Sequence, residues 1–397
     1  MEVNASVVFV FLEVFSHEGG IQTHIQDILS TYHELGAPPA KVFVLRDGLD
    51  DPNPFSSKRL SWEFFKTSNL MLGRMNLSST LFYYLRKHRP RHVFCGHTNL
   101  APPIWLMCKL LRIPYTVLTY GKEVWKPLPL VYRWALQQAD QVWTISRYTR
   151  DRLCSVHRVQ PHKVQLLPCM VKGDRYTPGE KSATLLQHYG LSNGLSNSRV
   201  LMTVARLWIG DPYKGVDITI RALPTILQVC PDVKYLVVGR GNDMPRLVKL
   251  AMDLGVRDRV IFAGFVPTET LVEHYRLADV YVMPSQEGFG IAYLEAMACG
   301  VPVLAGDADG SAEPLMDGRL GWQVPHRNPD AVAAACIDIL GRIAQHRQHD
   351  QTHPNTPPPE LRCDGGWLRQ EAIANFGEAA FQQRLQQLLQ HAIQPHQ

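Results

Sequence analysis

The chain has 397 residues, enough for two domains of ordinary size, each with its own core. With 45% hydrophobic and 19% charged residues, the composition is that of a soluble globular protein, which excludes disorder as the starting assumption. Forty-one Lys and Arg against 36 Asp and Glu give a net charge of +5. That mildly basic balance permits an anionic substrate or membrane surface, demands neither, and gives no reason to invoke a nucleic-acid partner.

The eight cysteines, at 95, 108, 154, 169, 230, 299, 336 and 363, form no CxxC pair and no Cys/His cluster at zinc spacing. Buried thiols in a reducing compartment are therefore expected, with no metal. The N-terminal MEVNASVVFVFLEVF has no basic stretch before its apolar run and no small-residue cleavage pattern after it, so it reads as a buried strand rather than a signal peptide. No run approaches the roughly 18–20 apolar residues of a membrane span. A cytoplasmic protein is expected.

Residues 6–14, SVVFVFLEV, form an apolar run that breaks at SHEGG and leads into the helical pattern IQTHIQDILSTYHELG. Strand, glycine turn and helix make the first unit of a Rossmann-like half, but the GxGxxG fingerprint of a dinucleotide site is absent. Gly19 and Gly20 at the helix head make an anion-facing turn, or simply a tight one. KVFVLRDG reads as a strand, and residues 49–76, with Pro52, Pro54 and the run SSKRLSWEFFK, as irregular. The alternation then resumes with helix STLFYYLRKHR, strand RHVFCGH, helix NLAPPIWLMCKLLRI, strand YTVLTYG, helix PLVYRWALQQAD, strand QVWTIS and helix RYTRDRLCSVH, and KVQLLP closes the half. Such alternation implies a parallel sheet covered on both faces.

A polar, glycine- and proline-containing linker, CMVKGDRYTPG, marks the domain boundary, giving a first domain over 1–172 and a second over 173–365. The second half repeats the plan: RVLMTVARL, a helix over Val216–Val229, KYLVVGRG, a helix over Pro245–Leu254, RVIFAGFV, a helix over Glu269–Ala278, and VYVMPS. PVLAGD, GWQV and a helix from Pro329 to about His346 follow. Residues 346–366, rich in His, Gln and Pro, read as a flexible surface loop. Residues 366–397 read as an amphipathic helix or pair.

The stretch PSQEGFGIAYLEAMACGVPV, residues 284–303, organises the rest. Gly288 and Gly290 allow a tight loop, Ile291, Leu294 and Ala298 recur at helical spacing, and Gly300 with Pro302 stops the helix. The free amides of that helix N-terminus favour an anion such as a diphosphate. Glu287 lies in the loop and Glu295 in the helix; an ionised carboxylate only accepts hydrogen bonds, so each suits a vicinal pair of sugar hydroxyls. Taken alone, two such glutamates are more often solvated surface. Arg206 ends one strand and Lys214 opens the next helix, so both cations belong to the strand-end edge where ligands of such sheets bind.

Glu287 and Glu295, separated by seven residues within EGFGIAYLEAMACGVPV, resemble the signature of glycosyltransferase family 4. The resemblance covers nearly the whole chain and implies an α/β protein of the GT-B fold, two Rossmann-like domains facing each other across a cleft, with the C-terminal helix returning to the first. It implies that Arg206 and Lys214, in ARLWIGDPYKGVD, bind the diphosphate and neutralise it as it leaves, so that neither metal nor cofactor is required. Gly239 and Gly241 in VGRGND, and Phe265 and Val266 in GFVP, would flank the base. Glu287 with Gly288, Phe289, Gly290 and Ile291 would hold the sugar, Glu295 the ribose, and Gly19 and Gly20 would face the diphosphate.

On the acceptor side, His97 in CGHTNLAP resembles a family histidine. Tyr120 and Glu123 in TYGKEVW stand where the family more often has the His and Asp of a His-Gly-x-Asp stretch, a departure that puts that histidine's role in doubt. The expectation is a retaining glycosyltransferase moving a hexose-type sugar from a UDP or GDP sugar to a hydroxyl of a glycan or lipid-linked acceptor, in a role such as cell-surface polysaccharide synthesis. A nucleotide-sugar 2-epimerase on the same fold and a non-catalytic nucleotide-sugar-binding subunit are the alternatives. The basic and aromatic residues of 57–92, Lys58 and Arg59 among them, suit peripheral contact with an anionic membrane at its inner face, or an ordinary solvated face.

Overall fold

The structure, a computed structural model, describes residues 6–17, 19–55, 59–192, 198–210, 214–352 and 360–393. The chain divides into two compact units, one formed by the chain up to Met170 together with the segment from Phe381, the other by Val171–Ala380.

Among the described residues, the first unit is built on seven strands: β1 Val7–Phe11, β2 Ala40–Val44, β3 Leu60–Phe64, β4 His92–Cys95, β5 Tyr115–Thr119, β6 Gln141–Thr144 and β7 Val164–Leu166. Their order is β3-β2-β1-β4-β5-β6-β7 and every pairing is parallel. The central strand β1, VVFVF, is buried along its whole length. A strand with helices on both faces cannot alternate polar and apolar residues, which is why it reads as a continuous apolar run. Because β1 is flanked by β2 on one side and β4 on the other, the chain reverses its direction of winding there. Ligands bind such sheets at this switch point, outside the strand C-termini.

The second unit repeats the arrangement with β8 Val200–Val204, β9 Lys234–Val238, β10 Val260–Gly264, β11 Val280–Met283, β12 Val303–Gly306 and β13 Trp322–Val324, in the order β10-β9-β8-β11-β12-β13. Its switch point lies between β8 and β11, so Arg206, just past β8, and the loop 284–290, just past β11, are neighbours by topology alone.

Two expectations are corrected. The span 49–76 is not irregular throughout: Leu60–Phe64 adds an edge strand to β2, and a helix runs over Leu70–His88. The Asn69 side chain caps that helix, accepting from the amides of Met71 at 2.9 Å and Leu72 at 3.4 Å. Gly73 obscured the helical pattern, and it is there because a Cβ would lie 2.9 Å from the Phe65 carbonyl. Lys58 lies outside the described residues. In the second unit the helix from Pro329 continues to Thr352 rather than stopping at His346, since His346 itself turns inward and is 8% exposed. Residues 353–359, with His353, lie outside the described residues. Beyond them Leu361–Cys363 form a short 3-10 turn whose Cys363 joins the core.

All eight cysteines are free thiols, seven of them buried. The helix Gly365–Phe376 stays with the second unit, whereas Phe381, Leu385, Leu389 and Ala392 pack into the first, where the Phe381 ring meets His24 at 5.8 Å. Among the described residues no helix is long and apolar enough to cross a membrane.

Candidate functional site

Of the groups expected on the donor side, all but Gly19 and Gly20 belong to the second unit. Arg206 is exposed where β8 ends. Lys214 donates from Nζ to Oε1 of Glu287, and the two side chains are only 18% and 14% exposed. The helix Val216–Val229 begins immediately afterwards, so its free amides point at the same place. Arg206, Trp208, Lys214, Gly215, Asp243 and Arg246 line a small pocket there. Asp217 and Asp243 also line it and would repel an anion, but Arg246 grips both oxygens of Asp243 at 2.7 and 2.6 Å, and Arg327 lies 3.6 Å from Asp217.

The Glu287 loop is held from below. Gly290, at φ 94°, starts the helix Ile291–Ala298, and a Cβ there would fall 2.3 Å from the Tyr293 ring. The Tyr293 hydroxyl donates to the Met283 carbonyl at 2.7 Å. Across the loop, the Asp309 carboxylate accepts from the amide of Glu287 and from the amide of Ser311 at 2.8 Å. The amide of Gly310 returns a bond to the Glu287 carbonyl at 2.9 Å. Burial pushes the Asp309 carboxyl up to about 6, against the hydrogen bonds from Ser311 and Glu287. Asp309 carries no spacing signal relative to Glu287, and sequence reasoning missed it; its DADGS context, an Asx before a glycine at a strand end, was the available hint.

Glu295 is half-buried and already has side-chain partners. Its Oε2 accepts from the Tyr275 hydroxyl at 2.6 Å, and Tyr176 also bonds to it. Burial raises its carboxyl above the usual range while the two tyrosines pull it down. Phe289 is 1% exposed and its ring meets Phe376 at 5.9 Å, so its side chain is core and only its backbone borders the loop, as do those of Gly288 and the half-buried Ile291. Gly239 and Gly241 are spaced by backbone packing, since a Cβ would fall 1.8 Å from the Ala205 carbonyl or 2.0 Å from that of Leu207. Phe265 is exposed with the Arg240 guanidinium 4.5 Å over its ring, a cation the sequence did not single out, and Val266 is half-buried beside it.

The acceptor-side groups belong to the first unit. Gly19 precedes the helix Gly20–Glu34, and the loop before it is fixed by the fully buried Asp47, whose carboxylate accepts from the amides of Val14, Phe15 and Ser16 at 2.7, 2.9 and 3.2 Å. Asp47 was also missed, for the same lack of local spacing. His97 sits past β4 and is half-exposed. Its Nδ1 accepts from the Asn99 amide at 3.1 Å, which leaves Nε2 as the N–H of the neutral ring. Burial, with help from Arg46, lowers His97 to about 4, so the ring is neutral near pH 7.

Tyr120 is 6% exposed and commits its hydroxyl to the Gly96 carbonyl at 2.9 Å, with its ring stacked on His97 at 6.3 Å. Its hydroxyl is therefore already engaged by backbone, and its ring is the part that borders His97. Glu123 accepts from the Tyr120 amide; burial raises its carboxyl, opposed by backbone hydrogen bonds. The structure therefore gathers Arg206, Lys214 and Glu287 in one unit and His97, Tyr120 and Glu123 in the other, while half-buried Glu295 bonds two tyrosines and Phe289 is buried.

Known proteins resemble this chain on the same scale. Residues 18–175 match the family described as Glycosyltransferase Family 4, and residues 198–342 match Glycosyl transferases group 1. The chain is 36% identical over 291 residues to a GDP-mannose-dependent alpha-(1-6)-phosphatidylinositol monomannoside mannosyltransferase of Mycolicibacterium smegmatis, covering 69% of this chain and 73% of that one. The same identity holds over 343 residues for the Mycobacterium tuberculosis enzyme of that name, covering 81% and 86%. Among solved structures, Anabaena HepE in complex with UDP superposes with a TM-score of 0.76 at 19% identity, covering 97% of this chain and 100% of that one. Sucrose-phosphate synthase from Thermosynechococcus elongatus does so with a TM-score of 0.76 at 20% identity, covering 97% and 98%. These likenesses establish the GT-B fold, and with the sequence matches in both halves the chain belongs to glycosyltransferase family 4 as a sugar-transferring enzyme.

Proposed function

We propose that the protein is a retaining mannosyltransferase that takes its sugar from GDP-mannose and passes it to a hydroxyl of a lipid-linked acceptor of the phosphatidylinositol mannoside type. The names of the mycobacterial relatives support the donor and acceptor. The observation that carries the reading is the Lys214–Glu287 ion pair beside Arg206, at the second unit's switch point.

In this reading Arg206 and Lys214 bind the diphosphate and stabilise the charge that builds on it as the glycosidic bond breaks. Lys214 then exchanges part of its bond to Glu287 for a phosphate oxygen, and Glu287 turns to the sugar hydroxyls. The departing phosphate oxygen accepts the proton of the incoming hydroxyl on the same face, which gives retention. Glu295 reaches the ribose only by sharing its carboxylate with Tyr275 and Tyr176. Neutral His97 offers its Nε2–H to an acceptor hydroxyl. The cell-surface glycan served is a glycolipid.

Exposed Leu70, Met71, Leu72 and Met75 at the start of the helix Leu70–His88, with Arg86 and Lys87 at its end, support peripheral seating on an anionic membrane. The test is incubation with radiolabelled GDP-mannose or UDP-glucose and an alkyl α-mannoside, with the anomeric configuration of the product read by NMR. Transfer of mannose with an α linkage supports the reading; an altered nucleotide sugar released without acceptor, or no turnover, refutes it.

A further inference from the structure

We propose that the apolar slot between the helices Leu70–His88 and Ala101–Leu111 of the first unit binds one acyl chain of the acceptor; the assignment rests on the lipid-linked acceptor just proposed. Its floor is hydrocarbon: Leu12 and Leu45 at the ends of β1 and β2, Leu77 and Leu81 from one helix, Leu100 and Ile104 from the other. Each of these is no more than 9% exposed. A helix of a partner protein, about 10–12 Å across, cannot reach residues so deep, whereas a single polymethylene chain can.

The polar members of the lining are Arg74, Ser78 and Asn99, of which Arg74 and Asn99 are exposed. A cation beside a hydrocarbon slot complements an amphiphile with an anionic head rather than a neutral apolar ligand. Asn99 is also the residue whose amide bonds to His97 Nδ1, so the slot adjoins the acceptor-side histidine. Exposed Leu72 and Met75 flank Arg74 on the same helix and give a second chain of the lipid an apolar surface to lie on. None of these residues has a part in donor binding.

The probe is cis-parinaric acid, a fluorescent eighteen-carbon fatty acid, titrated into the full-length protein without vesicles so that the slot is isolated from any membrane surface. Each methylene taken from water is worth about fourfold in affinity, so filling the slot and excluding even two methylenes costs at least about tenfold. Ser78→Trp fills it from a half-buried position, and Met107→Trp fills it from the facing helix should the first variant fail to fold. The expected result is saturable parinarate binding to the wild type and a loss of at least about tenfold in the variants.

In parallel, the apparent KM for dodecyl α-mannoside should rise by a similar factor while that for methyl α-mannoside stays unchanged. Equal parinarate affinity in wild type and both variants overturns the proposal. So does an equal change with the two mannosides. Loss of parinarate binding in the variants, in a protein that transfers to neither mannoside, keeps the slot and overturns the reading of the acceptor.

Discussion

Replacing Lys214 by methionine keeps most of the length of the side chain and removes its charge, with an expected cost in two places. The Glu287 carboxylate, 14% exposed, loses its cationic partner. Exposed pairs are worth up to about 1 kcal/mol and broken buried pairs about 3–5 kcal/mol, so this half-way case should lower folding stability by about 2 kcal/mol. Glu287→Gln removes the orphaned charge, and the double variant should recover about 1–2 kcal/mol relative to additivity. In catalysis, on the proposed function, losing one fixed group aimed at the leaving diphosphate should lower kcat about 10²–10³-fold. Denaturant unfolding of the four proteins gives the first number, and initial rates with GDP-mannose and dodecyl α-mannoside give the second. A coupling energy near zero, or a kcat within about threefold of wild type, would refute the reasoning.

Asp309→Asn should blunt the pH profile: with its carboxyl near 6, Asp309 ionises and takes up the Glu287 amide fully as pH rises through that value, so wild-type kcat/KM climbs there and the variant's should not. The same raised value means that the folded chain holds this proton more tightly than the unfolded one, so Asp309's contribution to stability is present below pH 3.8 and lost as pH rises through about 6, measurable by thermal melts. His24 behaves oppositely: burial lowers it to about 3, and its Nδ1 is buried without a partner. Its contribution is present above pH 6.5 and lost as pH falls toward 3, and His24→Phe should flatten the acid limb of the unfolding curve. Tyr275→Phe removes a donor to Glu295 and should cost about 1.5–3 kcal/mol in denaturant unfolding, the range for a hydrogen bond to a charged group.

The alternation of strands and helices was legible because parallel strands buried on both faces are nearly all apolar, and the helix Val216–Val229 is found at its expected ends. The edge strand Leu60–Phe64 was not, since an edge strand is half solvated and this one follows a proline-rich stretch. The proximity of Arg206, Lys214 and Glu287 was legible too, because all three follow strands or open helices at one sheet edge. What the sequence could not show is where a side chain turns once partners arrive from elsewhere. Glu295 meets tyrosines 20 and 119 residues away, Tyr120 gives its hydroxyl to Gly96, and Phe289 finds Phe376. Asp47 and Asp309 gather amides from loops more than 20 residues distant, and no local pattern announces such carboxylates.

Calorimetric titration of GDP into the wild type and into an Arg206→Ala, Lys214→Met double variant measures whether this cationic corner of the second unit grips the nucleotide. One binding site in the wild type, weakened about a hundredfold or more in the variant, is the outcome that follows from two charge-assisted contacts to the diphosphate. Equal affinity in the two proteins would contradict it.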